Sequence, residues 1–319
     1  MELVKVLQFI FKALFVSSLA LNLAFSNSDV KVWRMANKEK FSAELVNYNE
    51  EIDQVHLKVG EKVDRYFKLE EFSAVDKAWI IEWLELEELL NNKLVGLGGV
   101  FEHIRTEGNY PTDLYIYYPS SYNHDDAEEE LSTESEKEEA LPAMILFQAG
   151  GKALRFAKRH MEAAEATQMT IIACGTFRNR GPEDEYRERF GEVLTTIKET
   201  INYNTEKLFI GGISGGAWRA YHYTAWFEGP WAGVYANGGW LGGQAYFDLD
   251  YEDGMKVAMV NGNHDHGANH YVEIDSKVLA EHDAEIAIIS FEGGHQVPPT
   301  SAQIKAFQWL VGSETFEEK

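Results

Sequence analysis

The chain contains a single cysteine, Cys174. No internal disulfide is available to it, and a zinc site built on several thiolates is excluded. Cys174 lies in the apolar run 169–174 and reads as a buried core thiol. Positive charge is also scarce. Against 52 Asp and Glu stand 29 Lys and Arg, a formal net charge of −23. Such a surface repels a phosphate backbone, so nucleic acid is not an expected partner. Long apolar runs are missing beyond the N-terminus. The exception is 13–25, interrupted by Ser17, Ser18 and Asn22 and preceded by Lys5 and Lys12. With small Ala24 and Ser26 ahead of a cut before Asn27, it has the pattern of a secretory signal peptide and is short for a membrane span. Residues 1–26 are therefore expected to be removed, with an uncleaved anchor as the alternative. The mature protein is expected to be exported, periplasmic or secreted, with no stable membrane span. No internal repeat is visible.

What the chain does have is core-forming material. Hydrophobic residues make up 45% of its 319 positions and aromatics 13%. At about 150 residues per domain, two folded units or one with an appendage are expected, and disorder of the whole chain is excluded. Within a first module expected at 29–90, residues 30–70 alternate apolar and polar in short runs, as in Val55-His56-Leu57-Lys58-Val59, separated by turn-like groups. Period two at this spacing predicts a small antiparallel β module. Ser73, with Asp76 in the first turn, then opens a helix running through Trp79, Ile80, Trp83 and Leu84 to Leu90. Residues 123–141 crowd acids without apolar period, a solvated loop whose spacing lacks the ligand pattern of a calcium loop. Around it, over 95–313, an α/β domain is expected. Strands are predicted at 113–118 (antiparallel), 144–147, 169–174, 207–210, 233–236, 257–260 and 286–291, with helical patterns such as 186–203 between most of them. That order implies a mainly parallel sheet with helices on both faces.

The sharpest chemical signal is Gly212-Ile213-Ser214-Gly215-Gly216, which follows the apolar run Leu208-Phe209-Ile210 and precedes a helical stretch. A strand–G-x-S-x-G–helix turn lifts the serine hydroxyl above the sheet edge. It also aims the Gly215 N–H, at a helix N-terminus, where an oxyanion forms. A serine needs a base, and in this arrangement the order is Ser, acid, His. His295 follows the last predicted strand through Gly293-Gly294. Asp265 follows the strand before it, in Asn261-Gly262-Asn263-His264-Asp265, and is the expected acid. Asp248, Asp250 and Asp253 in an earlier loop are the alternatives. The second oxyanion donor is expected from Gln148-Ala149-Gly150-Gly151-Lys152, with Gly151 as the residue chosen. Arg178 is placed either to hold a substrate carboxylate or to bind local carbonyls and acids. Trp240 is placed to wall the pocket. His264, His266 and His270 beside Asp265 raise a metal site, but three histidines of one loop have no established ligand motif. They are expected at the mouth instead, and neither a metal nor an organic cofactor is required.

Together these features resemble the α/β-hydrolase superfamily, near secreted bacterial esterases of the polyhydroxyalkanoate-depolymerase and feruloyl-esterase kind. The resemblance covers about 95–313. It implies a carboxylic ester hydrolase with a Ser-His-Asp triad, an acyl-enzyme, and a small-molecule or polymeric ester as substrate. Many relatives carry His-Gly at the oxyanion loop, where this chain has Gln148-Ala149-Gly150-Gly151. The first module is similar to the SLA-type homology domain, an SH3-like barrel. Val32-Trp33-Arg34, the strands 41–46 and 55–59, and the ending Leu69-Glu70-Glu71-Phe72-Ser73 carry that likeness. It implies a binding or spacer role toward a protein or surface partner. The alternative for the whole chain is a non-catalytic binding protein on a hydrolase scaffold.

Overall fold

The computed structural model describes residues 30–60, 63–90, 97–122 and 140–313. The expected signal segment lies outside these residues, as does the acidic loop apart from 140–141. The chain divides into two compact units, Met1–Asn91 and Asn92–Lys319.

In the first unit, strands β1 (Lys31–Arg34), β2 (Lys40–Asn49), β3 (Gln54–Val59) and β4 (Val63–Phe67) form an antiparallel sheet in that order. β1 and β4 are its edges. The alternation decides which side is buried: Trp33, Ala43, Val55 and Leu57 are inside, while Val32 is exposed. The Trp33 indole N–H donates to the Ala43 carbonyl at 2.8 Å, so this large ring is buried with its polar atom satisfied. Helix α1 (Ala74–Leu90) starts where expected. The Ser73 hydroxyl accepts from the Asp76 N–H at 3.3 Å and donates to its carboxylate at 2.8 Å. Ile80 of α1 joins the Trp33 core.

The second unit is built on an eight-stranded sheet. Its strands are β5 (Val100–Arg105), β6 (Asp113–Tyr118), β7 (Ala143–Gln148), β8 (Thr170–Cys174), β9 (Leu208–Ile213), β10 (Trp231–Asn237), β11 (Lys256–Gly262) and β12 (Glu285–Phe291). Their order is β12-β11-β10-β9-β7-β8-β6-β5. Every neighbouring pair from β8 to β12 is parallel, and β6 runs antiparallel to both β8 and β5. The helices are α2 (Ala153–Lys158), α3 (Met161–Thr167), α4 (Glu183–Thr200), α5 (Gly215–Trp226), α6 (His266–Ala280) and α7 (Thr300–Leu310). Strands β7 to β9 are buried at nearly every position, which unbroken apolar runs require when both faces are covered. Edge strand β12 instead alternates buried and open residues. The strand order reverses around β7, β8 and β9, and in such sheets ligands bind beyond the carboxyl ends at the switch. Close approach there depends on small residues. A Cβ on Gly216, in the first turn of α5, would collide with the Phe147 carbonyl of β7.

Candidate active site

Ser214 occupies the turn between β9 and α5 with φ +58° and ψ −121°. A residue with a side chain adopts positive φ only where its surroundings enforce it. Here the Ser214 N–H donates to the Asn237 carbonyl at 2.9 Å and its own carbonyl accepts from the Trp218 N–H at 3.0 Å. Bonds on both sides hold the strained turn. Gly215 is the first residue of α5, so its N–H has no intrahelical partner and carries the positive end of the helix dipole.

Two further loops meet this turn. Asp265 follows β11 and caps α6, its Oδ1 accepting from the Ala268 N–H at 3.2 Å. Its other oxygen, Oδ2, lies 2.6 Å from Nδ1 of His295, in the loop after β12. The carboxylate is buried and the imidazole half exposed. The loops are tied by bonds from the His264 N–H to the Gly293 carbonyl at 2.9 Å and from the Gly293 N–H to Asn263 Oδ1 at 3.0 Å. Gly238, after β10 with φ +56°, lies against the pair. A Cβ there would stand 3.0 Å from His295 Nδ1 and 3.1 Å from Asp265 Oδ2. With Asp265 accepting at Nδ1, the tautomer that leaves Nε2 free to take a proton is favoured.

Ser214, Gly215, Asp265 and His295 all line one cavity of about 650 Å³. Among the described residues no hydrogen bond joins Ser214 to His295. Trp240 also lines the cavity. Its ring lies 4.0 Å from that of Tyr271 on α6, and the adjacent Leu241 is clamped from two sides. The Leu241 N–H donates to Asp275 Oδ2 at 2.9 Å, and its carbonyl accepts from His222 Nε2 at 2.7 Å. Burial lowers the His222 pKa to about 4 and raises that of Asp275 to about 6.

Two expected residues lie elsewhere. The Gly151 N–H donates to the Gln148 carbonyl at 2.9 Å, so it is committed within its own turn. The Gln148 side chain takes the N–H groups of Gly150 and Lys152 at 2.7 and 3.1 Å. The loop that supplies the second oxyanion donor in the expected arrangement therefore turns three of its amides onto Gln148. Arg178 packs along Gly151, outside the cavity lining. Its successors Asn179 and Arg180 line the cavity in its place. The Asn179 N–H donates to the Ala149 carbonyl at 2.8 Å. Its carboxamide lies so close over Gly215 that a Cβ on that glycine would collide with it.

Asp248, Asp250 and Asp253 are absent from the cavity lining, and Asp253 faces His282 at 3.5 Å. His264 reaches Glu292 at 3.0 Å and the His270 ring packs on Tyr271. Among the described residues no three His, Cys, Asp or Glu side chains gather as a metal would need.

Neither a family model nor a curated protein sequence matches the chain. Solved structures do. An esterase from Pyrobaculum calidifontis is 11% identical with a TM-score of 0.53, covering 78% of this chain and 96% of its own. S-formylglutathione hydrolase from Staphylococcus aureus is 13% identical with a TM-score of 0.51, over 69% and 99%. A fungal esterase from Rhizomucor miehei is 14% identical with a TM-score of 0.51, over 73% and 89%. At these identities the likeness shows the fold, an α/β-hydrolase-like one shared with esterases and serine hydrolases.

Proposed function

We propose that the protein is a serine hydrolase that cleaves carboxylic esters, with Ser214 as nucleophile, His295 as base and Asp265 as the group that orients the imidazole. One observation carries this reading: a serine strained at a strand-to-helix turn shares a cavity with a His295–Asp265 pair joined at 2.6 Å. Ser214 Oγ attacks the ester carbonyl while His295 Nε2 takes its proton. The carbonyl oxygen becomes an oxyanion, met by the Gly215 N–H and by the Asn179 carboxamide N–H₂, a donor type that serves this purpose in other sites. Collapse of the intermediate expels the alcohol, which His295 protonates. Water, deprotonated by His295, then releases the acid and restores Ser214. Asp265 remains a carboxylate throughout and steadies the imidazolium. Export to the periplasm or medium belongs to this reading and rests on residues 1–26 alone.

Turnover of a small soluble ester tests it. Ser214→Ala removes turnover and leaves folding intact, since one oxygen is lost. His295→Ala is comparably severe, because nucleophile and base act as a unit. Asp265→Asn costs roughly 10⁴ in kcat by analogy with related triads. Asn179→Ala costs roughly 10² to 10³ in kcat with KM little changed, the worth of one oxyanion donor. Near-normal turnover in Ser214→Ala sinks the reading. Near-normal turnover in Asn179→Ala removes that residue alone.

A further inference from the structure

Five acidic or basic side chains line the cavity: Asp265, His295, Glu183, Arg219 and Arg180. Four of them are paired among themselves. Asp265 holds His295. Glu183, at the start of α4, accepts from the buried Arg219 guanidinium at 3.2 Å and from the Tyr223 hydroxyl at 3.3 Å. Arg219 also lies over the Tyr186 ring, 5.1 Å from its centroid, and donates to the Arg178 carbonyl at 3.4 Å. These contacts fix Arg219 as a buried part of the cavity wall.

Arg180 is different. It is exposed, and among the described residues it has no hydrogen-bonding, ionic or ring partner. Of the two guanidiniums that line the cavity, Arg180 is the exposed one without a carboxylate partner. Its backbone is strained as well, with φ +62°. The loop does not relax because it is stitched on both sides. The Asn179 N–H is bound to Ala149, and Gly181 packs directly on the Tyr186 hydroxyl. That hydroxyl donates to the Thr176 carbonyl and accepts from the Arg178 N–H, both at 3.2 Å. Strained residues held in place by their neighbours cluster at functional sites. Trp240 and Tyr271 give the same cavity an aromatic lining.

We infer that the ester taken by this site carries a carboxylate, which Arg180 holds through a guanidinium–carboxylate pair while the ester carbonyl lies at Ser214. The inference rests on the serine-hydrolase reading. A planar guanidinium with no other partner is suited to bind a carboxylate through two parallel bonds.

The test uses matched esters. 4-Nitrophenyl hemisuccinate is compared with 4-nitrophenyl butyrate, and acetylsalicylate with its methyl ester, placing the carboxylate on the acyl or the alcohol side. The readout is the ratio of kcat/KM, charged over neutral. Arg180→Gln lowers that ratio roughly tenfold or more in at least one pair, the worth of a charge-assisted bond, and Arg180→Lys restores part of it. A ratio unmoved in both pairs overturns the inference. Calorimetry on full-length Ser214→Ala protein measures binding without turnover. 4-Nitrophenyl hemisuccinate or acetylsalicylate binds it, and adding Arg180→Gln weakens that binding roughly tenfold. Equal binding, or no binding of either, overturns the inference. Turnover that persists in Ser214→Ala strikes the hydrolase reading instead.

Discussion

At Asp275 a single carboxylate couples the site to stability. It is buried, receives one bond from the Leu241 N–H, and leaves its Oδ1 without a partner among the described residues. Burial raises its pKa from 3.8 to about 6, against the opposing effect of the Leu241 bond. The folded state thus holds this proton more tightly than the unfolded chain. Its contribution is fully present below about pH 4 and is lost as pH rises through 6. Asp275→Asn keeps an acceptor for Leu241 and removes the charge. It is expected to be more stable than the parent at pH 8 by up to about 3 kcal/mol, with the gap closing near pH 4. Urea denaturation at the two pH values checks this, and a gap of equal size at both contradicts it. At this scale the sequence is readable where position after a strand fixes which residues come together. Ser214, Asp265 and His295 stand within four residues of strand ends, so the pattern leads to each. It misses which residue of a loop turns inward. Arg178 and Arg180 are two positions apart in one loop, and the bonds to Ala149 and Tyr186 that choose between them come from distant segments. Gly151 was the choice for a flexible backbone, but the Gln148 carbonyl and carboxamide capture that turn.

Elements meet most tightly where β7, β9 and α5 converge. Because a Cβ on Gly216 would strike the Phe147 carbonyl, helix and strand must separate to admit it. Gly216→Ala is expected to cost about 3 kcal/mol or more, a fall in Tm of roughly 6 °C or more for a unit of this size. Gly191 supplies the contrast. It lies within α4 with open space where its Cβ would go, so Gly191→Ala is expected to stabilise by roughly 0.5–1 kcal/mol through helix propensity. Calorimetric melting of the two variants checks both signs, and equal shifts contradict the packing account. Most strands of this sheet were legible because Met144 to Phe147 and Val257 to Val260 are unbroken apolar runs, as burial on both faces demands. Strand β5 was not. Glu102, His103 and Arg105 dilute its pattern, since an edge strand has less to bury.

Across the whole molecule, the proposed chemistry is confined to one unit. Every residue lining the cavity falls between Asn179 and His295, inside Asn92–Lys319. A chain beginning at Asn92 is expected to fold and keep its turnover of a small soluble ester. A folded truncation without turnover shows instead that the first unit shapes the site. The solved esterases share the fold of the larger unit with 11–14% identity, and a fold of this kind hosts many reactions. The reactivity of Ser214 therefore separates hydrolysis from the other uses of such a fold, and covalent labelling reads it. The protein is treated with an active-site-directed fluorophosphonate and the adduct located by peptide mass spectrometry. One adduct is expected, on Ser214, lost in Ser214→Ala and strongly slowed in His295→Ala. An adduct on another residue, or none under conditions where the protein hydrolyses an ester, contradicts the assignment of Ser214 as nucleophile.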